Sequence, residues 1–333
     1  MGRSQPGKGA DFVYCVIRVE TSGVLRNLSK RAERRKGRRE GHMQIYIDGE
    51  FYSKEDAKIS VFDHGLLYGD GVFEGIRTYG GRVFELDAHI DRLYASAKII
   101  ALEIPLSRDE LIAAMMETIR RNDARDGYIR LVVTRGVGDL GLNPAKCPRP
   151  TVFCIAGGIT LYPPEVYERG FKVVTLSTRR NDPQALNPAV KSLNYLNNVM
   201  GALELRGCEV NEGLFLTTSG YVCECTADNF FMVKGRKLLT PHPATGALKG
   251  ITRAVVMRLA AGMGLEVEEG FYTLYDVYTA DEAFLTGTAA EVGPVVEVDK
   301  RPIGAGVPGP VTKEIIARFR EYTRNTGTAV DAV

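Results

Sequence analysis

Four short segments place side chains or backbone groups that can do chemistry. Lys191 lies in Asn187-Pro-Ala-Val-Lys-Ser-Leu-Asn-Tyr195, directly ahead of an apolar helical pattern. Its amine can act as a nucleophile or carry a proton, or simply face solvent. Gly250-Ile-Thr-Arg253 leads into a second helical pattern. The first turn of a helix offers unpaired N–H groups and the positive dipole end, a setting for phosphate; alone, the segment reads equally as a glycine entry turn capped by Thr252. Glu224 stands between Cys223 and Cys225 in a strand pattern. If it is buried, a carboxylate there needs a cationic partner or it takes up a proton. Gly287-Thr-Ala-Ala290 ends a strand with small residues whose N–H groups can approach an anion closely.

The elements that must position these groups are legible from periodicity. Residues 44–47 and 51–53 alternate around Asp48-Gly49, which predicts a hairpin. A second hairpin is predicted at Gly80-Gly81, between residues 75–79 and 82–86. Asp87 reads as the cap of a helix carrying Ile90, Leu93, Ala97 and Ile100, and Ser107-x-x-Glu110 is a capping box opening the next, with Leu111, Met115 and Ile119 on one face. Strands follow at 128–134, 151–156, 171–176, 213–217, 221–226, 229–233, 282–285 and 294–298. Helices are predicted through Leu193, Leu196, Met200 and Leu203, over 251–263 and over 311–322. Strands arriving in hairpins with helices between them favour an α+β fold of largely antiparallel sheets with flanking helices over a doubly wound parallel one. The Gly- and Pro-rich stretch around 157–164 marks an interdomain linker at 158–168, between a small domain at 43–157 and a large one at 169–323, with a tail at 324–333.

The 333 residues suffice for two domains, and 44% hydrophobic content supports a real core. No apolar run approaches the roughly 18 residues of a membrane span. Cys15, Cys147, Cys154 and Cys208 are isolated, and no second Cys or His pair joins Cys223 and Cys225 in a tetrahedral set. Reduced thiols in a cytoplasmic protein without a metal are therefore expected. The net charge of +2 hides an asymmetry: residues 1–42 hold eleven Lys/Arg against four Asp/Glu, a net +7, which leaves −5 for the rest. That segment reads as a disordered basic tail or as upstream sequence preceding a start at Met43, since Arg38-Arg39 can be encoded by a ribosome-binding AGG-AGG. Clustered cations also attract nucleic acid, but the acidic body carries no nucleic-acid motif.

Taken together, Tyr68-Gly-Asp-Gly-Val-Phe-Glu-Gly-Ile-Arg77, Asp91–Lys98, Lys191-Ser-Leu-Asn-Tyr195, Gly220–Phe231, Leu248-Lys-Gly-Ile-Thr-Arg253 and Leu285–Glu291 resemble the branched-chain amino acid aminotransferases of class IV, fold type IV. The resemblance runs in order from about Met43 to about Tyr322. It implies a two-domain pyridoxal phosphate enzyme in which Lys191 carries the cofactor through its amine and moves the Cα proton of the substrate. It implies further that Glu224 pairs with the pyridinium nitrogen and that Tyr195 hydrogen-bonds the ring oxygen. Arg92, the backbone of Ile251 and Thr252, and Thr288 would hold the phosphate, with Leu248 and Gly250 beside it.

On the substrate side the resemblance implies Tyr68, Phe73, Gly75, Arg77, Tyr128 and Arg130 as pocket residues. Thr288 and Ala289 would receive the α-carboxylate through their N–H groups. Leu142 would reach the pocket of a neighbouring subunit, which implies a homodimer. The reaction implied is amino transfer from L-leucine, L-isoleucine or L-valine to 2-oxoglutarate. D-amino acid transaminases and aminodeoxychorismate lyases share parts of the same motifs; Phe73-Glu-Gly-Ile-Arg77 with Tyr128-Ile-Arg130 resembles the branched-chain type. Cys223 and Cys225 stand where the family more often has Ser and Gly, so a thiol-sensitive site is expected if Cys225 is reachable.

Overall fold

The computed structural model describes residues 43–332 other than Thr160. The basic segment 1–42, with the expectations attached to it, and Val333 lie outside the described residues. The described chain carries two sheets with helices against them, the α+β arrangement expected from the sequence.

The first sheet is antiparallel throughout. β1 (Gln44–Ile47) and β2 (Glu50–Ser53) form the predicted hairpin, with both turn residues left-handed (Asp48 φ 49°, Gly49 φ 103°) as its twist requires. With β3 (Gly71–Tyr79), β4 (Arg82–Val83), β5 (Tyr128–Thr134), β6 (Thr151–Gly157) and β16 (Thr328–Ala329), the order is β16-β4-β3-β5-β6-β1-β2. Helices Leu86–Ile99 and Arg108–Arg121 cover one face, packing Ile90, Leu93, Leu111, Met115 and Ile119 onto Val72, Ile76, Ile129, Leu131 and Val133. The capping box at Ser107 is complete: its hydroxyl accepts from the Glu110 N–H and its own N–H donates to the Glu110 carboxylate.

The second sheet is built from β7 (Phe171–Thr175), β8 (Glu212–Leu216), β9 (Val222–Cys225), β10 (Asn229–Lys234), β11 (Lys237–Pro241), β12 (Glu266–Gly270), β13 (Glu282–Gly287) and β14 (Glu291–Val298). Their order is β12-β11-β10-β13-β14-β7-β8-β9, and the short β15 (Arg301–Pro302) turns back onto the end of β14. The sheet is mixed: β7 lies parallel to β8 and β14, and β11 parallel to β12. Helices Ile251–Gly262 and Pro310–Asn325 pack Val255, Val256, Ala260, Ile315 and Phe319 against Phe231, Val233 and Phe284.

Several local expectations need correction. The second hairpin's return strand stops at Val83, because buried Leu86 already belongs to a helix; Asp87 lies in its first turn, and the cap position is Glu85, which makes no capping bond. Glu85 instead accepts from Arg258 and Tyr322. The linker stretch holds a short helix, Pro164–Arg169, and the expected tail continues as helix to Asn325 and then supplies β16. The helix Leu196–Glu204 excludes Leu193 and is turned opposite to its apolar pattern: Asn198 and Gly201 are buried, whereas Leu196, Met200 and Leu203 are exposed. Its close approach to Phe215 explains this, since a Cβ on Gly201 would lie 2.5 Å from that ring. Among the described residues, no helix is long and apolar enough to cross a membrane.

Candidate active site

The register of β3 against β5 pairs Phe73 with Val132, Gly75 with Arg130 and Arg77 with Tyr128. Side chains alternate across a strand, so Phe73, Gly75, Arg77, Tyr128 and Arg130 share the face opposite the helices. The Arg130 guanidinium stacks 4.4 Å from the centroid of Phe73 and 5.6 Å from that of Tyr128. Gly75 is needed for space: a Cβ there would fall 2.0 Å from the Tyr128 hydroxyl.

The segment carrying Lys191 is fastened along β3. The Phe73 N–H donates to the Lys191 carbonyl (3.0 Å) and the Leu193 N–H to the Gly71 carbonyl (2.9 Å), while the Lys191 N–H donates to Ser96 Oγ (3.1 Å). This backbone anchoring sets the amine 3.0 Å from Tyr195 Oη and 4.5 Å from the centroid of Phe73. The sequence interval of four residues brings Lys191 and Tyr195 together.

These groups line a cavity of about 320 Å³. Of the residues expected at the site, Phe73, Gly75, Arg92, Tyr128, Arg130, Lys191, Tyr195, Leu248, Gly250, Ile251, Thr252, Thr288 and Ala289 line it together. Helix Ile251–Gly262 begins at this wall with no side-chain cap, and Thr252 Oγ is buried without a hydrogen-bond partner, so Thr252 does not cap its own helix. Gly250 permits the turn, because a Cβ would come within 2.0 Å of Asn229 Oδ1.

Four expected residues stand outside that lining. Tyr68 faces a separate surface depression with Asn187, Ser192 and Asn194, and its hydroxyl donates to the Leu140 carbonyl. Arg77 donates to the Ala289 carbonyl (3.3 Å) and lies 3.6 Å from the Glu291 carboxylate. Leu142 is 77% exposed. Glu224 is buried behind the wall, accepting from the Leu248 N–H (2.8 Å) and Asn229 Nδ2 (3.2 Å).

Two neighbours of the site escaped the sequence reading. Arg180 donates to Glu224 Oε1 at 2.7 Å, and both side chains are more than nine-tenths buried. Burial lifts the Glu224 carboxyl above its usual range, with Arg180 and the Leu248 N–H opposing. The requirement for a cationic partner was visible in the sequence; its identity was not, because 44 residues separate the two. Asp228 also lines the cavity, with Oδ2 buried and unpartnered. Burial, then the charge of Glu212, pushes its pKa well up, favouring the neutral acid. Cys225 is fully buried, and burial with nearby carboxylates raises its thiol, so the condition attached to thiol sensitivity is not met.

The residue set fits pyridoxal phosphate. Lys191 offers an amine held by a phenol. Thr252 Oγ and the uncapped helix start offer donors that lack an acceptor. Three N–H donors on Glu224 leave one of the four acceptor positions of its carboxylate open. Among the described residues, no group of three acidic, His or Cys side chains is placed to hold a metal.

Comparison with known proteins gives the family to which this fold belongs. A family model described as amino-transferase class IV matches residues 71–298. A putative branched-chain-amino-acid aminotransferase of Methanocaldococcus jannaschii is 53% identical over 288 residues, covering 86% of this chain and 99% of that protein. The crystal structure of the Escherichia coli branched-chain amino acid aminotransferase superposes with a TM-score of 0.82 at 37% identity, over 84% of this chain and 94% of that one. The T.th. branched-chain amino acid aminotransferase complexed with N-(5'-phosphopyridoxyl)-L-glutamate gives 0.79 at 36% identity, again over 84% of this chain and 94% of that one.

Proposed function

The chain belongs to the amino-transferase class IV family, and on that premise we propose that its cavity moves the amino group of L-leucine, L-isoleucine or L-valine to 2-oxoglutarate, giving branched 2-oxo acids and L-glutamate. The observation that carries this reading is the Lys191 amine, 3.0 Å from Tyr195 Oη, in a cavity walled by Phe73, Tyr128 and Arg130 on one side and by Thr252, Thr288 and Ala289 on another. Pyridoxal phosphate, when bound, supplies the electron-accepting ring that stabilises negative charge at the Cα of the amino acid.

The chain's own groups do the rest. Lys191 Nζ takes the Cα proton and would deliver it to the cofactor carbon C4′, carrying a proton the opposite way in the second half-reaction, and the Tyr195 hydroxyl keeps that amine in position. Arg92, Thr288 and the backbone of Ile251 and Thr252, with Leu248 and Gly250 beside them, hold the phosphate. Glu224 balances the ring nitrogen from behind the wall. Phe73 and Gly75, whose missing Cβ makes room for the Tyr128 hydroxyl, receive the branched side chain, and Tyr68 and Arg77 serve the substrate from outside this lining. Arg130 grips the distal carboxylate of glutamate, and the Thr288 and Ala289 N–H groups take the α-carboxylate. An apolar wall with anion donors at its rim suits both substrates.

A donor panel tests this. L-leucine with 2-oxoglutarate is expected to turn over at least about tenfold faster than D-alanine, as a pocket-level preference of about 1–3 kcal/mol gives. Turnover of D-alanine alone would hand the chain to the D-amino acid transaminases. Release of 4-aminobenzoate from aminodeoxychorismate without transamination would hand it to the lyases.

The same reading makes the enzyme a cytoplasmic homodimer. Exposed apolar residues gather on hydrogen-bonded neighbours: Val61, Phe62 and Leu66 on one segment, Leu140 and Leu142 on another, and Leu196, Val199, Met200 and Leu203 on the helix beyond Asn194. Gly138 N–H donates to the Phe62 carbonyl and Asn194 Nδ2 to the Gly69 carbonyl, tying the three together. A surface of this kind marks association, and Leu142 then reaches the pocket of the second copy. Sedimentation velocity at micromolar protein is expected to give a dimer; a monomer would remove Leu142 from the site. A cytoplasmic setting with reduced thiols is part of that reading. A division into lobes 43–157 and 169–323 about 158–168 belongs to the same reading.

A further inference from the structure

Alternation along β3 puts Glu74 on the face opposite Phe73 and Gly75, among Val72, Ile76, Leu131 and the helix Leu86–Ile99. It is a carboxylate inside the apolar core of the first sheet, 0% exposed. Burying an ion there is unfavourable, and such pairs rarely add stability over an apolar filling, so its presence calls for another reason. Its partners supply one. Glu74 accepts from Arg92 Nε at Oε1 (2.7 Å) and from Arg92 Nη2 at Oε2 (2.7 Å), a forked pair. His89 Nδ1 donates to Oε2 at 2.8 Å, and its Nε2 is buried without a partner, as befits a neutral ring that spends its one proton on Glu74. Burial works to raise the Glu74 pKa, but the charge and hydrogen bonds of Arg92, with those of His89, hold it at about 2.

The fork also decides what Arg92 has left. One Nη1 hydrogen donates to the Lys249 carbonyl (2.9 Å), directly before the turn at Gly250. A guanidinium has five N–H donors; three are committed, and one on each Nη remains, beside the uncapped start of helix Ile251–Gly262. Resting on the assignment of Arg92 to the cofactor phosphate, we propose that Glu74 is a positioning residue: with His89 behind it, it presets the Arg92 guanidinium so that its two free N–H groups meet the phosphate without reorganisation.

The test compares pyridoxal phosphate with pyridoxal, which lacks the phosphate, in titrations of the cofactor-free protein followed by quenching of tyrosine fluorescence. Glu74→Gln is expected to weaken pyridoxal phosphate about tenfold or more, the value of a charge-assisted hydrogen bond, and to leave pyridoxal within about twofold. Glu74→Asp keeps the buried charge but is one methylene too short to hold the fork, and is expected to lose phosphate discrimination in the same direction. It also serves as the readout if Glu74→Gln does not fold. A parallel loss for both ligands, as general damage would give, or no loss for either, overturns the proposal. Arg92→Gln separates the two levels. If it leaves discrimination intact, the phosphate assignment of Arg92 falls; if it abolishes discrimination while the Glu74 variants keep it, only the positioning role falls.

Discussion

Lys191→Ala is expected to lower turnover of L-leucine by on the order of 10⁴-fold or more, combining the loss of the covalent amine and of the proton carrier. The visible absorption of the covalently held cofactor should vanish with it. The fold should survive. The segment is held by its backbone, through the hydrogen bonds of residues 191 and 193 to β3 and to Ser96, and the side chain contributes one hydrogen bond, to Tyr195. Thermal melting should therefore change by no more than a surface substitution causes, within about 0.5 kcal/mol. Stopped-flow turnover, an absorption spectrum and a melting curve of the same preparation check all three. A variant that keeps the absorption band would place the catalytic amine elsewhere.

Glu224→Ala is expected to act on the fold as well as the chemistry. Arg180 sits 2.7 Å from Glu224 with almost no access to water. Removing the carboxylate leaves a buried guanidinium uncompensated, which costs about 3–5 kcal/mol. It also strips the acceptor from the Leu248 N–H and one of the two acceptors from Asn229 Nδ2, which still donates to the Leu248 carbonyl; both residues belong to the cavity wall. Glu224→Gln keeps the shape and one acceptor oxygen, so it should fold with a smaller loss and show its defect in turnover, on the order of 10²-fold, the scale of one lost electrostatic partner at a reacting centre. Denaturant unfolding of the two variants, read beside their turnover with saturating pyridoxal phosphate, separates stability from chemistry. Equal stability of the alanine variant and the parent would mean that Arg180 finds water or another anion.

What the sequence revealed and what it withheld divide along physical lines. Features that depend on local spacing were readable: the helix start at Gly250, the strand that carries Tyr128 and Arg130, the capping box at Ser107. Roles set by long-range burial were not. Arg180 and Glu224 meet only through folding, and Glu74 could be placed in the core only once the register of β3 was known. The helix Leu196–Glu204 shows how a pattern can mislead: its apolar stripe is present, but contact with Phe215 requires the glycine side to face inward. β12 was passed over because Glu266-Val-Glu-Glu-Gly270 carries charge on both faces, which an edge strand tolerates, with Lys237 of β11 pairing to Glu266 and Glu268.

β16 bears on how the molecule assembles. It lies beside β4, joining positions about as far apart as the Arg82–Gly327 hydrogen bond, which spans 245 residues, and it delivers Val330, 1% exposed, into the core of the first sheet. During synthesis, the strands up to β6 emerge long before the segment that closes their edge. The early sheet must therefore wait with β4 paired to β3 alone, its outer edge open, and a gap in its core while the second sheet is made. Closing so long a loop is entropically slow, which makes docking of the last residues a natural late event in folding and leaves the nascent chain dependent on protection of that edge until then.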